Sequence, residues 1–363
     1  MHRPVLYVLA GLGVFDALDG TLGNKIGRVV WVGCALLCVV LFSAEIFELP
    51  FKVLFRVLAD ILQIIRKGDL DYQYKQFVKY WNAFSKRKKA LLYIGAYTIA
   101  FLAAFLIAYS PYLTEKTTFV WNSDGRLQHF PILVYIGRFL RHALQNALNG
   151  DFSIPLFDLN MNMGDNIFGF INPMGGTDPL ALLSAFVPTQ YSEYLYGFLA
   201  IFRVYLAGLS FSALCFYFNK LYSHTLIGSI VYCFSGFALV GAMRHPFWIS
   251  AMCILPLLIV GADKVLKRER PYLFIISVFF AALNIGYYHL YMMTIMFGVY
   301  VLVRFFDIYK EKRLIVFCHV ALRGILYYTL GIGLSAVIFF PSVLAFLSSG
   351  RSGYLNYNPS SYT

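Results

Sequence analysis

Charged residues are scarce in this chain. They make up 13% of its 363 residues, roughly half the share found in soluble domains, whereas hydrophobic residues make up 60%. The charges fall into short clusters between apolar runs of about 20 residues, the length that a helix needs to cross a bilayer. The mean hydropathy of +0.67 agrees with this pattern. These features exclude an ordinary soluble protein and predict an all-α, polytopic helical membrane protein.

Cysteines are few, and they follow neither a metal-binding spacing nor the pattern of a disulfide framework. All lie in apolar segments, where a thiol is usually a small buried hydrophobic group. The six are Cys34, Cys38, Cys215, Cys233, Cys253 and Cys318. No metal site and no cofactor are therefore predicted, although a divalent metal is compatible with the acidic residues described below.

Acidic residues are also outnumbered, 18 against 30 basic residues, for a net charge of +12. An excess of positive charge can indicate nucleic-acid binding. Here the basic residues concentrate in particular loops, as the positive-inside rule describes for membrane proteins. The pattern therefore predicts membrane lipids as partners and excludes nucleic acid.

Apolar runs predict seven membrane spans from residue 86 onward. They cover residues 90–112, 194–218, 222–243, 247–263, 271–286, 287–306 and 314–346. The last run is long enough to tilt or to begin as a surface helix. The fifth and sixth spans meet at Gly286 with almost no loop between them.

The basic residues of the loops predict the orientation of these spans. Thirteen of them lie on one side of the predicted bilayer and six lie on the other. The larger set is Lys86, Arg87, Lys88, Lys89, Lys220, Lys264, Lys267, Arg268, Arg270, Arg304, Lys310, Lys312 and Arg313. The smaller set is Lys116, Arg126, Arg138, Arg141, Arg244 and Arg351. Because the more basic side faces the cytoplasm, the loop 113–193 is predicted to be extracytoplasmic.

This loop is the only long one, and it lacks the Ser/Gly-rich composition of a linker. In residues 132–148 apolar residues recur at helical spacing among polar ones, which predicts an amphipathic helix on the membrane surface. Two segments rich in turn-forming residues follow, and a short apolar piece at 180–186 returns the chain to the bilayer. No internal repeat is visible along the chain.

Three regions are predicted. Residues 1–85 form an N-terminal extension with one or two membrane segments and a cytoplasmic amphipathic helix. Residues 86–346 form the transmembrane module. Residues 347–363 begin an extracytoplasmic segment that this chain does not complete.

Titratable residues gather on the predicted extracytoplasmic side. Four of the seven histidines lie there, namely His129, His142, His245 and His289. Seven of the eighteen acids also lie there, namely Glu115, Asp124, Asp151, Asp158, Asp165, Asp178 and Glu193. A carboxylate just outside a span can act as a general base on a hydroxyl group, and arginines at headgroup level can hold a phosphate. This side of the protein therefore suits a reaction on a lipid-linked substrate.

Asp124, in the stretch FVWNSDGRLQHFP, is the candidate general base. The alternative, from the sequence alone, is a carboxylate that is solvated or that caps the helix beginning at Pro131. Arg126, two residues further on, is a candidate for binding the phosphate of the donor.

Other residues are candidates for binding this phosphate or its lipid. Arg203 lies about ten residues into the second span, where a charge either contacts a ligand or has a partner within the bundle. Arg244 and His245 lie at an extracytoplasmic turn and either contact the carrier phosphate or anchor the chain at the interface. His289 has the same two alternatives.

Asp165, His129 and Asp178 are candidates for a second acid or for sugar binding. Asp165 is also a possible metal ligand. Asp178 precedes Pro179 and is more typical of a residue that caps the short helix after it.

Three further polar residues of the loop have simpler interpretations. Asp158 is expected to be structural. Arg141 and His142, on the predicted surface helix, are expected to contact lipid headgroups.

Three stretches resemble the YfhO-type bacterial membrane proteins. They are WNSDGRLQHFPILVYIGRFLR, PLFDLNMNMGDNIFG and GTDPLALLSAFVPTQYSEYLYGFLAIFRVYLAGLSFS. The resemblance is ungapped over these stretches and covers the chain from about residue 90 to its end, but not residues 1–85.

This resemblance implies a C-type glycosyltransferase (GT-C) fold and a polyprenyl-phosphate-sugar-dependent glycosyltransferase. In that fold, a module of seven membrane helices carries surface helices in its first outer loop and an essential Asp at the start of that loop, the position of Asp124. The implied donor is an undecaprenyl-phosphate-linked hexose or N-acetylhexosamine. The implied acceptor is a teichoic-type polymer, another envelope glycan or a glycolipid. The implied location is the bacterial cytoplasmic membrane, with the active site on the extracytoplasmic face.

Members of this family are usually much longer and carry further spans and an outer domain. This chain is therefore expected to be a fragment, and the activity is assigned to the longer protein.

Two other functions are consistent with a polytopic membrane protein. A lipid or glycan transporter or flippase would favour polar residues through the bundle midplane and an inverted repeat. This chain shows mainly Arg203 at that depth and no repeat. The third interpretation is a non-catalytic assembly fragment.

Overall fold

The computed structural model describes residues 83–115, 117–161, 164–284, 286–310 and 313–348. Expectations for residues 1–82 and for the tail after residue 348 lie outside the described residues. Helices dominate the described part, and five of them are long and apolar enough to cross a membrane. The prediction of a polytopic helical membrane protein is therefore confirmed.

The first described helix, α1, belongs to a compact unit that ends at Glu115. It spans Lys86–Thr114, and the Ser85 hydroxyl oxygen caps its start by accepting a hydrogen bond from the Lys88 N–H. Its buried residues recur at intervals of four or eight positions, so they form a stripe that drifts around the helix. They are Tyr93, Tyr97, Phe101 and Tyr109.

The second unit, residues 116–363, contains all the other described elements. Its loop segment begins with a π-helical turn, Gly125–His129, which leads into helix α2, Phe130–Leu148. Two short antiparallel strands follow, β1 (Phe157–Asp158) and β2 (Asp165–Asn166), and then helix α3, Ile167–Ile171. The 3₁₀ helices Ala181–Ala185 and Thr189–Tyr191 complete the segment. The predicted helix at 132–148 is confirmed, as α2.

The remaining helices are α4 to α11. Their bounds are Ser192–Tyr217 (α4), Tyr222–Cys233 (α5), Gly236–Arg244 (α6), Ile249–Leu266 (α7, preceded by the 3₁₀ helix Pro246–Trp248), Tyr272–Asn284 (α8), Gly286–Ile308 (α9), Arg313–Leu334 (α10) and Ala336–Ser348 (α11).

Two of the predicted spans are each divided into two helices. The run 222–243 breaks between α5 and α6, where the Ser235 side chain caps α6 by accepting a hydrogen bond from the Ala238 N–H. The run 314–346 breaks between α10 and α11, where the Ser335 hydroxyl donates to the Ile332 carbonyl oxygen. A serine that bonds to nearby backbone competes with the helical ladder, and it ends a helix inside an apolar run.

One end of this unit is held together by a buried carboxylate. Asp263, near the end of α7, is fully buried and forms ion pairs with Lys267 (2.7 Å) and Arg304 (2.8 Å). The hydroxyl groups of Tyr217 and Tyr300 donate to the same carboxylate over 2.7 and 3.0 Å. The C-terminal parts of α4, α7 and α9 therefore meet here, at what we call the basic end.

The opposite end, the loop end, is where residues 117–191 pack on the helices. Asn172 of this segment donates to the Leu283 carbonyl oxygen at the end of α8 (2.9 Å), and Ser250 at the start of α7 donates to Asp178 (3.1 Å). The N-terminal part of α7 and the C-terminal part of α8 thus share the loop end. α7 and α8 therefore run in opposite directions, as predicted for the fourth and fifth spans.

Candidate functional site

The candidate site begins at the π-helical turn Gly125–His129 at the loop end. The Arg126 N–H donates to the Trp121 carbonyl oxygen over 2.9 Å, which closes a wide turn. Gly125 suits this turn, since a Cβ there would lie 3.0 Å from Cβ of Trp121. Such turns are rare and are frequently found at functional sites. This one holds Asp124 at its start and His129 at its end.

Asp124 is half-buried and makes no capping hydrogen bond with its side chain. Among the described residues, the ion pairs within 4 Å do not include it. A carboxylate that caps a helix would accept a bond from a backbone N–H of the first turn. The capping alternative is therefore wrong in this structure, and the carboxylate lies at the site as an available acceptor.

The two histidines predicted for separate roles contact each other. Nε2 of His129 and Nδ1 of His245 share a hydrogen bond of 2.8 Å, and their ring centroids lie 5.0 Å apart. His129 is buried, with 6% of its surface exposed, whereas His245 is half-buried. The pair therefore runs from the protein interior towards the surface near Asp124.

The surroundings keep this pair neutral at physiological pH. Burial and the adjacent His245 lower the pKa of His129 to about 4, and the nearby Asp124 opposes this shift. Burial also lowers the pKa of His245, with Asp124 again opposing the shift and Arg244 adding to it. Desolvation disfavours the charged imidazolium and outweighs the attraction of a single carboxylate. Two neutral imidazoles thus lie close to one carboxylate.

Aromatic rings hold His245 in place. It lies in the turn between α6 and the helix Pro246–Trp248, and a residue before proline is restricted to extended backbone. Its imidazole stacks on Trp248 at 4.2 Å between centroids and meets Trp121 edge to face at 5.8 Å. The position of His245 is therefore fixed by both the backbone and its neighbours.

Two further candidates lie beside these tryptophans. The exposed Arg244 guanidinium lies over the Trp121 ring, 5.3 Å from its centroid, a cation–π contact that orients the charge. The His289 ring lies 5.7 Å from that of Trp248. Arg126 is exposed on the π-helical turn. The structure therefore brings Asp124 and Arg244 together with three histidines, namely His129, His245 and His289. We call this group the His–Asp cluster. Arg126 lies on the π-helical turn beside it.

Asp178 and Arg203 pair with each other instead of joining the surface of this cluster. The guanidinium contacts Oδ2 of Asp178 through Nη2 (2.6 Å) and Nε (2.8 Å), and both side chains are buried. Oδ1 of Asp178 accepts a hydrogen bond from the Leu180 N–H, as expected of a residue at a helix start. Asp178 is therefore the partner within the bundle that was one of the two alternatives for Arg203. Their ion pair joins the loop segment to α4.

The other polar residues of the loop segment make local contacts. Oδ1 of Asp165 accepts from the Asn166 N–H over 2.7 Å, in the two-stranded sheet. Asp158 accepts from the Tyr135 hydroxyl over 2.8 Å, which agrees with the structural role expected for it. Arg141, predicted to contact lipid headgroups, instead donates to the carbonyl oxygens of Ser184 (2.8 Å) and Val187 (3.0 Å). These carbonyls lie around the end of the 3₁₀ helix Ala181–Ala185. The last carbonyl groups of a helix need hydrogen-bond donors from outside it, and Arg141 supplies them here.

Sequence reasoning placed the histidines on one side of the membrane but did not pair them. His129 and His245 are 116 residues apart, and no local spacing signals their contact. Trp121 and Trp248 were not singled out as parts of a site either. Within the described ranges, no group of three or more His, Cys, Asp or Glu side chains is arranged to hold a metal ion.

Comparisons with known proteins agree with the resemblance seen in the sequence. The profile of the family described as "Bacterial membrane protein YfhO" matches residues 96–359. The chain is similar to the "Uncharacterized protein YfhO" of Bacillus subtilis (strain 168), with 28% identity over 163 residues. The aligned region is 43% of this chain and 18% of that relative, so the chain matches less than a fifth of the relative's length. No solved structure matches the chain.

Proposed function

The chain belongs to the YfhO family of bacterial membrane proteins, and we propose that it forms part of a membrane glycosyltransferase. The enzyme moves a sugar from an undecaprenyl-phosphate carrier to a hydroxyl group of an envelope acceptor, such as a teichoic-type polymer, another glycan or a glycolipid. The loop end faces outward from the cytoplasmic membrane, and the basic end faces the cytoplasm. The distribution of basic residues and the resemblance to the GT-C fold support this arrangement.

The observation that carries the proposal is the uncapped carboxylate of Asp124 beside a neutral histidine pair. A general base needs an ionised group that can approach the substrate hydroxyl. Asp124 is half-buried at the loop end, and the neutral imidazoles beside it do not compensate its charge. These properties distinguish it from the carboxylates of Asp178 and Asp263, which are buried in ion pairs.

The reaction is a direct displacement at the anomeric carbon of the sugar. Asp124 takes the proton of the acceptor hydroxyl as its oxygen forms a bond to that carbon. The bond between the anomeric carbon and the carrier phosphate oxygen breaks, and its electron pair leaves with the polyprenyl phosphate. Charge therefore develops on the phosphate, where a guanidinium stabilises it.

We assign to Arg244 the stabilisation of the charge on the carrier phosphate. Its guanidinium lies over Trp121 at an exposed position, and a planar guanidinium can donate two parallel hydrogen bonds to a phosphate. Arg126, on the adjacent turn, supplies a second positive charge. We assign Arg203 no contact with the carrier, since its guanidinium is buried and pairs with Asp178.

Membranes that contain the full-length protein test the proposal against a flippase. They are supplied with a radiolabelled undecaprenyl-phosphate hexose, or with the N-acetylhexosamine form, and membranes without the protein are the control. The account predicts labelled sugar in the envelope polymer or glycolipid together with an equal amount of released undecaprenyl phosphate. Movement of intact labelled lipid across the bilayer, without release of the carrier, would identify a flippase instead.

A further inference from the structure

Helix α7, which is long and apolar enough to cross the membrane, contains a proline near its middle. The nitrogen of Pro256 carries no hydrogen. In an α-helix each N–H bonds to the carbonyl oxygen four residues earlier, so the Met252 carbonyl oxygen receives no such bond from residue 256. Met252 is buried, and a membrane interior offers no water to replace the bond. This carbonyl group therefore needs a donor from another helix.

A side chain of α5 supplies that donor. The Tyr232 hydroxyl donates to the Met252 carbonyl oxygen over 2.9 Å. The Ser210 hydroxyl, from α4, lies 3.4 Å from the same oxygen, but it lies closer to the Ala207 carbonyl oxygen of its own helix, at 3.2 Å. A serine hydroxyl has a single hydrogen to donate. Tyr232 is therefore the principal donor to Met252.

The ring of Tyr232 is held in place by a neighbouring helix. It stacks on Phe211 of α4, with the ring centroids 4.6 Å apart and the ring planes 16° from parallel. Tyr232 is also the penultimate residue of α5. The donor is thus fixed by α4 and α5, independently of the helix that needs it.

The Met252 carbonyl group lies one turn away from residues of the His–Asp cluster. Met252 is in the first turn of α7, four residues after Trp248, the N-cap of that helix. The Trp248 ring stacks on His245 at 4.2 Å between centroids. A missing ladder bond weakens a helix and allows it to bend at that point. The direction of the first turn of α7, and with it the position of Trp248, therefore depends on bonds from outside α7.

We propose that the Tyr232 hydroxyl takes the place of the N–H group missing at Pro256, and that its bond to the Met252 carbonyl oxygen positions Trp248 and His245 in the His–Asp cluster. Tyr232 is then a positioning residue that acts on the cluster through the first turn of α7. Neither the hydrogen bond nor its effect on His245 rests on the proposed glycosyltransferase function.

A double-mutant cycle on the thermal unfolding of the full-length protein in detergent tests whether Tyr232 replaces the missing donor. Tyr232→Phe removes the hydroxyl group and keeps the ring, so the Met252 carbonyl oxygen loses its principal donor and the melting temperature should fall by several degrees. Pro256→Ala restores an N–H at residue 256. Tyr232→Phe should therefore lower the melting temperature much less in the Pro256→Ala protein. Equal losses in the two backgrounds would overturn the proposal.

NMR of histidine-labelled full-length protein tests the positioning, because the Trp248 ring shifts the resonances of an imidazole stacked on it. A His245→Gln variant assigns the His245 signal. Tyr232→Phe should move this signal and leave that of His142, at an exposed position of α2, unchanged. In the Pro256→Ala background the same substitution should move it much less. An unmoved His245 signal in the Tyr232→Phe protein would show that Tyr232 does not position the cluster.

Tyr309→Phe is the matched control for both measurements. The Tyr309 hydroxyl also donates to a backbone carbonyl oxygen of α7, that of Leu266 at the opposite end of the helix, over 2.7 Å. Its loss should lower the melting temperature equally with proline or alanine at residue 256, and it should leave the His245 signal in place. A dependence on residue 256 as large as that of Tyr232→Phe would contradict the proposal. Neither measurement needs turnover, so their failure is distinct from the absence of sugar transfer.

Discussion

Nε2 of His129 lies 2.8 Å from Nδ1 of His245, although 116 residues separate the two in the chain. This bond connects the π-helical turn of the loop segment to the turn that precedes α7. It places two neutral imidazoles close to Asp124, and it makes the His–Asp cluster dependent on the docking of the loop segment onto the helices.

Acidification should destabilise this docking. Unfolded histidine binds a proton below a pKa of 6.5, whereas folded His129 does so only below about 4. The contribution of neutral His129 to the free energy of unfolding is therefore fully present above pH 6.5. It is lost as the pH falls from 6.5 to 4. One pKa unit corresponds to 1.36 kcal/mol, so the loss approaches roughly 3 kcal/mol. Melting temperatures of the purified protein in detergent across this pH range measure it.

The non-titrating variant His129→Gln should flatten this pH dependence, since the glutamine amide keeps a hydrogen-bonding group near Nε2. His142→Gln, at an exposed position of α2, is the control and should keep the wild-type slope. An unaltered slope in His129→Gln would show that another group causes the acid sensitivity.

Breaking the buried pair between Asp178 and Arg203 should destabilise the protein strongly. Arg203→Met leaves the Asp178 charge buried without its partner, which typically costs about 3–5 kcal/mol. The double variant Arg203→Met/Asp178→Asn should recover much of that loss, because no uncompensated charge remains. Thermal unfolding in detergent compares the three proteins. Asp307→Asn, which breaks the partly exposed pair with Arg304, should cost about 1 kcal/mol or less; equal losses in Arg203→Met and Asp307→Asn would contradict the prediction.

The helical segments could be predicted from the sequence because membrane spans are defined by composition and length. The amphipathic helix α2 could also be predicted, because its apolar residues recur at helical spacing, and it is confirmed. The breaks at Ser235 and Ser335 were missed, since they depend on single side chains that leave the average hydropathy of a run unchanged. The contacts of Arg141 were predicted wrongly, and those of Arg203 were left with two alternatives, for another reason: their partners come from other segments and depend on tertiary packing.

The orientation of the spans predicts which end can be labelled from outside. In the full-length protein, with the native cysteines replaced, Asn122→Cys lies at an exposed position of the loop end, and Glu269→Cys lies at an exposed position near the basic end. A membrane-impermeant maleimide should modify Asn122→Cys in intact cells and Glu269→Cys only after lysis. The reverse pattern would invert the topology and place the His–Asp cluster in the cytoplasm.

Arg244 should govern the affinity for the carrier phosphate. Arg244→Ala removes the guanidinium held over Trp121, and the apparent affinity of the full-length protein for the polyprenyl-linked donor should fall. Arg244→Lys should restore it only in part, because lysine keeps the charge but loses the two-pronged geometry. Arg138→Ala, at an exposed position of α2, is the control and should leave the affinity unchanged. Donor affinity that is equal in Arg244→Ala and the wild type would exclude Arg244 from phosphate binding.

The most direct test of the account is the rate of sugar transfer by Asp124→Asn in the full-length protein, at matched expression and saturating donor. Asparagine preserves the size of the side chain and one acceptor oxygen but cannot take a proton, so the protein should fold and bind the donor. Transfer should fall by about 10²–10⁴-fold, the usual loss on removing a general base. Asp151→Asn, at an exposed position of the same loop segment, should transfer sugar at the wild-type rate. Near-normal transfer by Asp124→Asn would contradict the account, because the proton would then be taken by another group.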